Sequence, residues 1–304
     1  MFETALPGKI IIGIHGLNNK PPQRLLRRWW RLALQHGLRQ QGFAHPFMRV
    51  ALAYWAKVRY AQPLNPRETD PAHPLFLNEP FLPLYTQRES EAPRLRQAFL
   101  GLLEKSMDHI FLNEDMTLNL SGITNALVQQ FFHDLSAYLS TTERVDGRLE
   151  ADQIREPLIR LLRRHRRKHI LLIAHSMGSV VAYDVLRQAL PGVKVHTLLT
   201  MGCPLGLPFF LHRNAAGQGE AVSGNPRVPE TVLSAWHNLS DLHDPIAMNY
   251  NLADDYLPSQ RGVGITDRIV KNGYVIHGER NPHKSFGYLQ SPELAQICHD
   301  FLSK

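Results

Sequence analysis

One serine stands at a junction where a buried strand is expected to meet a helix. The run from Ile170 to Ala174 is continuously apolar, as in a strand buried on both faces of a parallel sheet. Ser176 follows one residue later, and an amphipathic stretch begins at Ser179. A serine hydroxyl can act as a nucleophile when a base lies within hydrogen-bond reach and a third group orients that base. A serine that only caps the helix needs neither partner, because its oxygen accepts a backbone N–H.

The segment Ala-His-Ser-Met-Gly, residues 174–178, resembles the nucleophile elbow of the α/β-hydrolase family. In the family's Gly-x-Ser-x-Gly pattern the serine lies on a strained strand-to-helix turn, and small residues two positions away on either side avoid a clash. Alanine replaces the first glycine here, and it still meets the demand for a small residue. The resemblance implies an α/β-hydrolase fold, with a mostly parallel doubly wound sheet, and Ser176 as the nucleophile of a lipase-like or serine esterase enzyme.

The resemblance also implies where the other two catalytic residues lie. In the family the acid follows a late strand, and the histidine precedes the last helix. His283 precedes a helix predicted over residues 292–301 and is therefore the expected base. Asp244, in the loop after a strand predicted over 229–239, is the expected acid. Asp241 in the same loop is the fallback acid, and its other interpretation is a turn cap.

Two backbone N–H groups are the expected donors to a developing oxyanion. The resemblance assigns one to Met177, directly after the nucleophile, and the other to Leu17, in the His-Gly-Leu turn after the first predicted strand. His15 in that turn is expected to hold the loop by hydrogen bonds to the backbone. Cys203 is expected to be a small packing residue, because no separate base is evident beside it.

Alternating strand and helix patterns frame these residues and are typical of a doubly wound sheet. His277, at the end of the last predicted strand, and His299, in the last predicted helix, are expected to have packing or surface roles. Strands are predicted over residues 9–14, 49–55, 169–174, 195–201, 229–239 and 273–277, and helices over 154–167, 179–190 and 292–301, besides one opened by Pro21 and Pro22 and closed by Gly42.

The pattern divides the chain into a core and an insertion. Residues 1–56 and 149–304 are expected to form the α/β-hydrolase core, and residues 57–148 a helical cap or lid. Six prolines between residues 63 and 83 exclude regular structure there. Amphipathic stretches predict helices over 93–112 and 123–139. The insertion and the apolar segment 205–211 either line an acyl pocket or pack against the core, and both interpretations stay open.

Composition excludes several classes of protein. The chain has 304 residues, of which 43% are apolar, enough for one large domain or two small ones. Two cysteines without a C-x-x-C pair indicate neither a disulfide framework nor a thiolate zinc site. The motifs H-E-x-x-H, G-x-G-x-x-G and the P-loop are absent, so no metal or cofactor is expected. There is no apolar run of about 18 residues and no signal-peptide pattern, which predicts a cytoplasmic protein.

The formal net charge of +7 raises the question of an anionic partner. Much of the excess lies in the run 163–168, Arg-Arg-His-Arg-Arg-Lys, which is expected to end a helix where cations oppose the negative end of the dipole. The alternative is peripheral contact with an anionic membrane surface. Nucleic acid is not an expected partner, because the run lacks interleaved aromatic residues.

The sequence therefore predicts a serine hydrolase that cleaves a small-molecule or lipid ester through an acyl-enzyme. The same machinery would cleave thioesters and amides, so the residue types do not choose between these substrates. The alternative is a catalytically silent protein of this fold that binds a lipid or protein partner through the insertion and the basic run.

Overall fold

The computed structural model describes residues 8–45, 47–84, 135–140, 147–216, 224–247 and 249–303. Within these residues the main sheet has six strands, all parallel, in the order β2-β1-β3-β4-β5-β6. The strands are β1 (Lys9–Ile14), β2 (Val50–Ala53), β3 (His169–His175), β4 (Val195–Met201), β5 (Val232–Ser240) and β6 (Ile265–Ile269).

Helices cover both faces of this sheet, so the described part of the chain is an α/β protein. Alternate residues of β1 point to opposite faces: Ile10, Ile12 and Ile14 pack with the second and third helices, whereas Ile11 packs with the first and last. The helices are α1 (Gln23–Gln40), α2 (Glu150–Arg164), α3 (Met177–Arg187), α4 (Pro208–Ala216), α5 (Leu252–Asp255), α6 (Ser285–Leu289) and α7 (Pro292–Ser303), besides a short 3₁₀ turn at Ala56–Val58.

Most predicted core elements are found close to their expected bounds. Strands β1 and β4 match the prediction, and β2 is shorter than the predicted 49–55. Helix α2 begins four residues before the predicted start and ends three before the predicted end. The basic run 163–168 lies at the carboxyl end of α2, with Arg163 and Arg164 in its last turn, as predicted. No helix of the described residues is long and apolar enough to cross a membrane.

The predicted strand over residues 273–277 is wrong as a strand of the main sheet. Only Val275–Ile276 (β7) is extended there, and it pairs with Glu279–Arg280 (β8) in an antiparallel hairpin. His277 and Gly278, both with positive φ, form the two-residue turn between them. The sixth strand of the main sheet is β6, an edge strand whose sequence Ile-Thr-Asp-Arg-Ile is mostly exposed and so carries little apolar signal.

Residues 59–84 of the insertion form no helix or regular strand, as the prolines predict. An isolated bridge joins Asn65 and Phe76. The segment is tied to the core where Tyr274 Oη donates to Pro80 O at 2.6 Å and Leu84 N donates to Gln290 Oε1 at 2.8 Å. The predicted helix over 93–112 and most of that over 123–139 lie outside the described residues, whereas residues 135–139 are helical.

Candidate active site

Ser176 lies on the tight turn between β3 and α3. Its φ of 54° and ψ of −130° are unusual for a residue other than glycine, and such strain is commonly found at functional sites. The side chain is 1% exposed and makes no capping hydrogen bond to α3 within the described residues. Its backbone N–H donates to Met201 O at 3.1 Å, which fixes the turn against β4. The helix-cap interpretation of Ser176 is therefore wrong.

Small residues allow this turn to form. A Cβ added to Gly178 would lie 2.7 Å from His15 O, and one added to Gly16 would lie 2.7 Å from Ser176 Cβ. Such distances are too short for real side chains, so β1 and its following turn require glycine at both positions. Ala174, two residues before the serine, fits with its methyl group fully buried in β3.

His283 joins Ser176 to Asp244 in one chain of hydrogen bonds. His283 Nε2 lies 2.9 Å from Ser176 Oγ, and His283 Nδ1 lies 2.8 and 2.9 Å from the two Asp244 oxygens. A carboxylate can only accept, so Nδ1 carries the ring proton and the Nε2 lone pair faces the serine hydroxyl. All three residues are buried. The structure thus brings together three side chains that lie up to 107 positions apart.

Asp241, the fallback acid, faces a different set of partners. Its carboxylate forms an ion pair with Arg280 and accepts hydrogen bonds from the backbone N–H groups of Asn272 at 2.6 Å and His243 at 2.8 Å. Asp241 therefore anchors the surrounding loops, while Asp244, three residues later, reaches His283.

Asp244 is held by donors of its own. Tyr288 Oη donates to Asp244 Oδ2 at 2.7 Å, and Ile246 N donates to Oδ1 at 2.9 Å. Burial raises the pKa of Tyr288 well above its ordinary value, and the negative charge of Asp244 is the second cause of this rise. The phenol therefore stays protonated and can donate. Gly202 has φ of 56°, and a Cβ there would lie 2.9 Å from Asp244 Oδ2. These contacts leave the carboxylate one orientation toward the histidine.

Side-chain donors also fix the backbone on each side of the His283 ring. Asn272 Nδ2 donates to Pro282 O at 2.7 Å and to Lys284 O at 2.8 Å. His175 Nε2 donates to the carbonyl of His283 itself at 2.7 Å. Three successive carbonyl groups are thereby held by two side chains. Neither role was predicted, and no local sequence signal could have indicated them, because the partners lie 10 to 108 positions apart.

Asn272 is a buried residue with its hydrogen-bonding groups engaged. A Cβ added to Gly287 would lie 1.5 Å from Asn272 Oδ1, so the amide fills the space that a side chain at 287 would need. Asn272 Oδ1 accepts from Tyr274 N at 3.1 Å, and Asn272 N donates to Asp241. The Asp241 cluster and the His283 loop are therefore one continuous network.

Of the two residues predicted to supply oxyanion donors, Met177 follows the serine in the chain and Leu17 lines the same cleft as the serine. Met177 is the first residue of α3, so its N–H is one of the N–H groups at the start of the helix that have no acceptor within the helix. His15 holds the turn as predicted, because Nδ1 lies 2.8 Å from Gly16 O and Nε2 accepts from Trp55 N at 3.1 Å. The pKa of His15 is lowered to about 3, mainly by burial and secondly by the positive charge of Lys20, so the ring is neutral.

A cleft of about 290 Å³ opens beside Ser176 and His283. Its lining contains both apolar and charged side chains. None of the residues 205–211 lines it, and Leu205 and Phe210 are fully buried in the core, so the packing interpretation holds for that segment. The described part of the insertion contributes a wall, and the apolar side chains that line the cleft include Leu26, Trp29, Leu64, Phe76, Leu77 and Phe286.

An ion pair ties that wall to the histidine loop. Lys284 Nζ lies 2.6 Å from Glu79 Oε2, and Asn281 Nδ2 donates to Glu79 Oε1 at 2.5 Å. Burial pushes the pKa of Glu79 upward, but Lys284 and Asn281 bring it below its ordinary value, so the carboxylate is charged. Burial lowers the pKa of Lys284. The segment around Glu79 is thus fastened to residues directly flanking His283.

The remaining candidates lie away from this centre. His277 is exposed in the β7–β8 turn, and His299 stacks on Phe43, in keeping with the predicted surface and packing roles. Cys203 and Cys298 are fully buried, and burial raises the pKa of each thiol to about 12. In the part of the chain that is described, no group of three or more His, Cys, Asp or Glu residues could hold a metal ion.

The chain matches no known protein-family model, and no curated protein matches it.

Proposed function

We propose that this protein is a serine hydrolase of the α/β-hydrolase type that cleaves carboxylic esters. Ser176 is the nucleophile, His283 the general base and Asp244 the acid that orients it. One observation carries the proposal: a buried, unbroken chain of hydrogen bonds from Ser176 Oγ through His283 to Asp244, with every link between 2.8 and 2.9 Å. These are the distances that a base needs to accept the serine proton.

In the proposed reaction His283 Nε2 takes the proton from Ser176 Oγ while the oxygen attacks the ester carbonyl carbon. The negative charge that develops on the carbonyl oxygen is stabilised by the N–H groups of Met177 and Leu17. The imidazolium then gives its proton to the departing alkoxide, which leaves an acyl group on the serine. A water molecule, deprotonated by the same ring, attacks the acyl carbon, and the ring then returns that proton to Ser176 Oγ as the carbon–serine bond breaks and the acid is released.

The cleft supports an ester with an apolar acyl group. Its apolar wall, which includes Trp29, Phe76 and Phe286, offers contact area to an acyl chain, and the insertion that contributes Phe76 would act as the cap. Thioesters and amides would react through the same three residues, so graded substrates are needed to separate them. The lipid-ester version of the proposal predicts a preference for longer acyl chains.

The test is labelling of the purified protein with a fluorophosphonate probe, followed by peptide mapping. We expect modification at Ser176 and none in Ser176→Ala. Ser179→Ala is the matched control, because Ser179 is a buried serine three residues later whose Oγ donates to Ala174 O at 3.2 Å and not to His283. That variant should label as the wild type does.

Turnover is then measured on p-nitrophenyl esters from acetate to laurate. Hydrolysis that disappears in Ser176→Ala would support the proposal. Absence of labelling together with absence of turnover would contradict it and leave the alternative, a catalytically silent protein of this fold that binds a partner.

A further inference from the structure

Basic residues are concentrated at the start of the chain. Residues 4–67 contain eleven Lys and Arg and not one Asp or Glu, whereas the whole chain has a net charge of only +7. The rest of the protein therefore carries a net charge of −4. Besides the run 163–168, the unbalanced positive charge therefore lies in one region, residues 4–67, which contains β1, α1 and β2.

Within that region the arginines of α1 lie on one face. Arg24, Arg27, Arg28 and Arg31 are spaced by three, one and three residues, which places them within about 100° around the helix axis. All four are exposed. The opposite face of α1 is buried and carries Leu26, Trp30, Ala33, Leu34, Gly37 and Leu38.

Residues at the start of β2 extend this basic surface. Met48, Arg49 and Val50, at the start of β2, line a shallow hollow together with the four helix arginines. Among the described residues no carboxylate lines this hollow. We call Arg24, Arg27, Arg28, Arg31 and Arg49 the arginine face. Since no acidic side chain of the described residues lines the hollow, the five arginines keep their positive charges beside it.

An exposed aromatic side chain adjoins the arginine face. Phe47, which immediately precedes Met48, is 93% exposed. The chain around it is anchored, because Phe43 stacks on His299 at 3.9 Å between ring centroids, and His45 Nε2 lies 2.9 Å from His299 Nδ1. Met48 is buried. Phe47 is therefore presented to solvent from a loop that is fixed on both sides.

We propose that the arginine face and Phe47 form a docking surface for bilayers that contain anionic phospholipids. Guanidinium groups bind phosphate oxygens in a bidentate manner, and cations near an anionic leaflet are attracted to it. An apolar or aromatic side chain beside cations is the composition of interfacial membrane anchors. This inference concerns binding alone and does not depend on the hydrolase proposal.

The same charges would attract nucleic acid, but the observations favour a bilayer. Single-stranded nucleic acid is bound by successive aromatic side chains on which bases stack, and the described residues here offer one exposed phenylalanine beside the arginines. The arginine face is also spread along two turns of a helix. A row of cations on an exposed helix matches a planar array of phosphates.

Helix α1 would connect this surface to the cleft. Leu26, Trp29 and Trp30 of the same helix line the cleft beside Ser176. A bilayer that contacts the arginine face would therefore lie across one helix from the candidate active site.

The test is co-sedimentation of the full-length protein with vesicles of phosphatidylcholine alone or with 30% phosphatidylserine. We expect binding to the anionic vesicles that weakens as NaCl is raised. Changing Arg24, Arg27, Arg28 and Arg31 together to Gln should weaken this binding by at least about twentyfold, given roughly fivefold per arginine near an anionic surface. Phe47→Ala, which leaves the charge unchanged, should weaken it by about threefold or more.

The matched control changes Arg163, Arg164, Arg166 and Arg167 to Gln, since these four exposed arginines lie at the end of α2 and the change removes the same charge. Its binding should stay within about threefold of the wild type if the site is local rather than a general charge effect. Equal loss in both quadruple variants, or no preference for anionic vesicles, would overturn the proposal. So would tighter binding of a single-stranded oligonucleotide that displaces the vesicles. Phe47→Ala decides the matter if the α1 variant does not fold.

Discussion

The hydroxyl of Tyr288 lies between the two aspartates of one loop and donates to Asp244 Oδ2 at 2.7 Å. The same oxygen accepts the backbone N–H of Asp241 at 3.0 Å. One buried phenol therefore fixes the loop that carries both aspartates and orients the carboxylate that faces His283.

Tyr288→Phe should weaken this arrangement without emptying the space. The ring remains, but Asp244 Oδ2 and the Asp241 N–H each lose a partner, so the free energy of unfolding should fall by about 1–3 kcal/mol. If the enzyme proposal is correct, kcat should fall by roughly tenfold as the carboxylate loses its orientation. Urea unfolding and ester hydrolysis measure the two effects. An unchanged kcat would show that the phenol acts on stability alone.

Replacing each of the two aspartates singly by asparagine should distinguish their roles. Asp244→Asn should lower kcat by about 10³–10⁴, because the amide can no longer hold the histidine in the required tautomer. Asp241→Asn removes the ionic partner of Arg280 instead, so its main effect should be a loss of about 1.5–3 kcal/mol in the free energy of unfolding. Turnover of p-nitrophenyl butyrate and urea unfolding distinguish them. The assignment is wrong if Asp241→Asn abolishes turnover and Asp244→Asn does not.

Asn272→Asp tests the support of the His283 backbone. The substitution keeps the shape of the side chain but replaces the donor to the carbonyls of Pro282 and Lys284 by an oxygen that repels them. We expect kcat to fall by at least about tenfold, because a displacement of about 1 Å in a reacting group can cost a hundredfold. Asn251→Asp, at an exposed position, is the control and should change neither kcat nor the labelling rate of Ser176.

The buried histidines make stability depend on pH in a defined direction. Burial holds the pKa of His15 at about 3, against 6.5 for an ordinary histidine. Below about pH 6.5 the unfolded chain takes up a proton that the folded chain does not. The free energy of unfolding therefore decreases as the pH is lowered, by up to about 1.4 kcal/mol per pH unit. This continues down to about pH 3. His175, whose pKa burial lowers well below 6.5, contributes in the same direction.

His15→Gln removes this titrating group, so the slope should decrease by nearly the whole contribution of one proton, about 1.4 kcal/mol per pH unit. The amide oxygen of the glutamine can still accept from Trp55 N. Urea unfolding of both proteins at pH 7, 6 and 5 gives the slopes. Equal slopes would show that His15 already titrates normally in the folded state.

The two thiols should be inert until the protein unfolds. Cys203 and Cys298 are fully buried, and the pKa of each is raised to about 12, so almost no thiolate exists at neutral pH. An aromatic disulfide reagent such as DTNB should react with fewer than about 0.1 thiols per chain in buffer and with both cysteines in 6 M guanidinium. Rapid reaction of one thiol in buffer would contradict the described burial.

The sequence alone determined the features that depend on neighbouring residues. The continuous apolar run of β3 and the small residues at 174 and 178 indicate a serine at a strand-to-helix turn, because strand burial and turn sterics act within a few positions. The same locality explains the error at 273–277. The exposed edge strand β6 buries too little apolar surface to leave a pattern, whereas the short hairpin after it contains valine and isoleucine.

Only the tertiary structure decided which way a side chain points and which distant residues it meets. Asp241 and Asp244 are the same residue type in one loop, and only the folded chain shows that one faces Arg280 and the other His283. The supports from His175, Asn272 and Tyr288 come from the end of β3, the loop after β6 and helix α6, and they act on the loop after β5 and the loop before α6. Hydrogen bonds require distances near 3 Å and defined angles, and residue order along a chain contains neither.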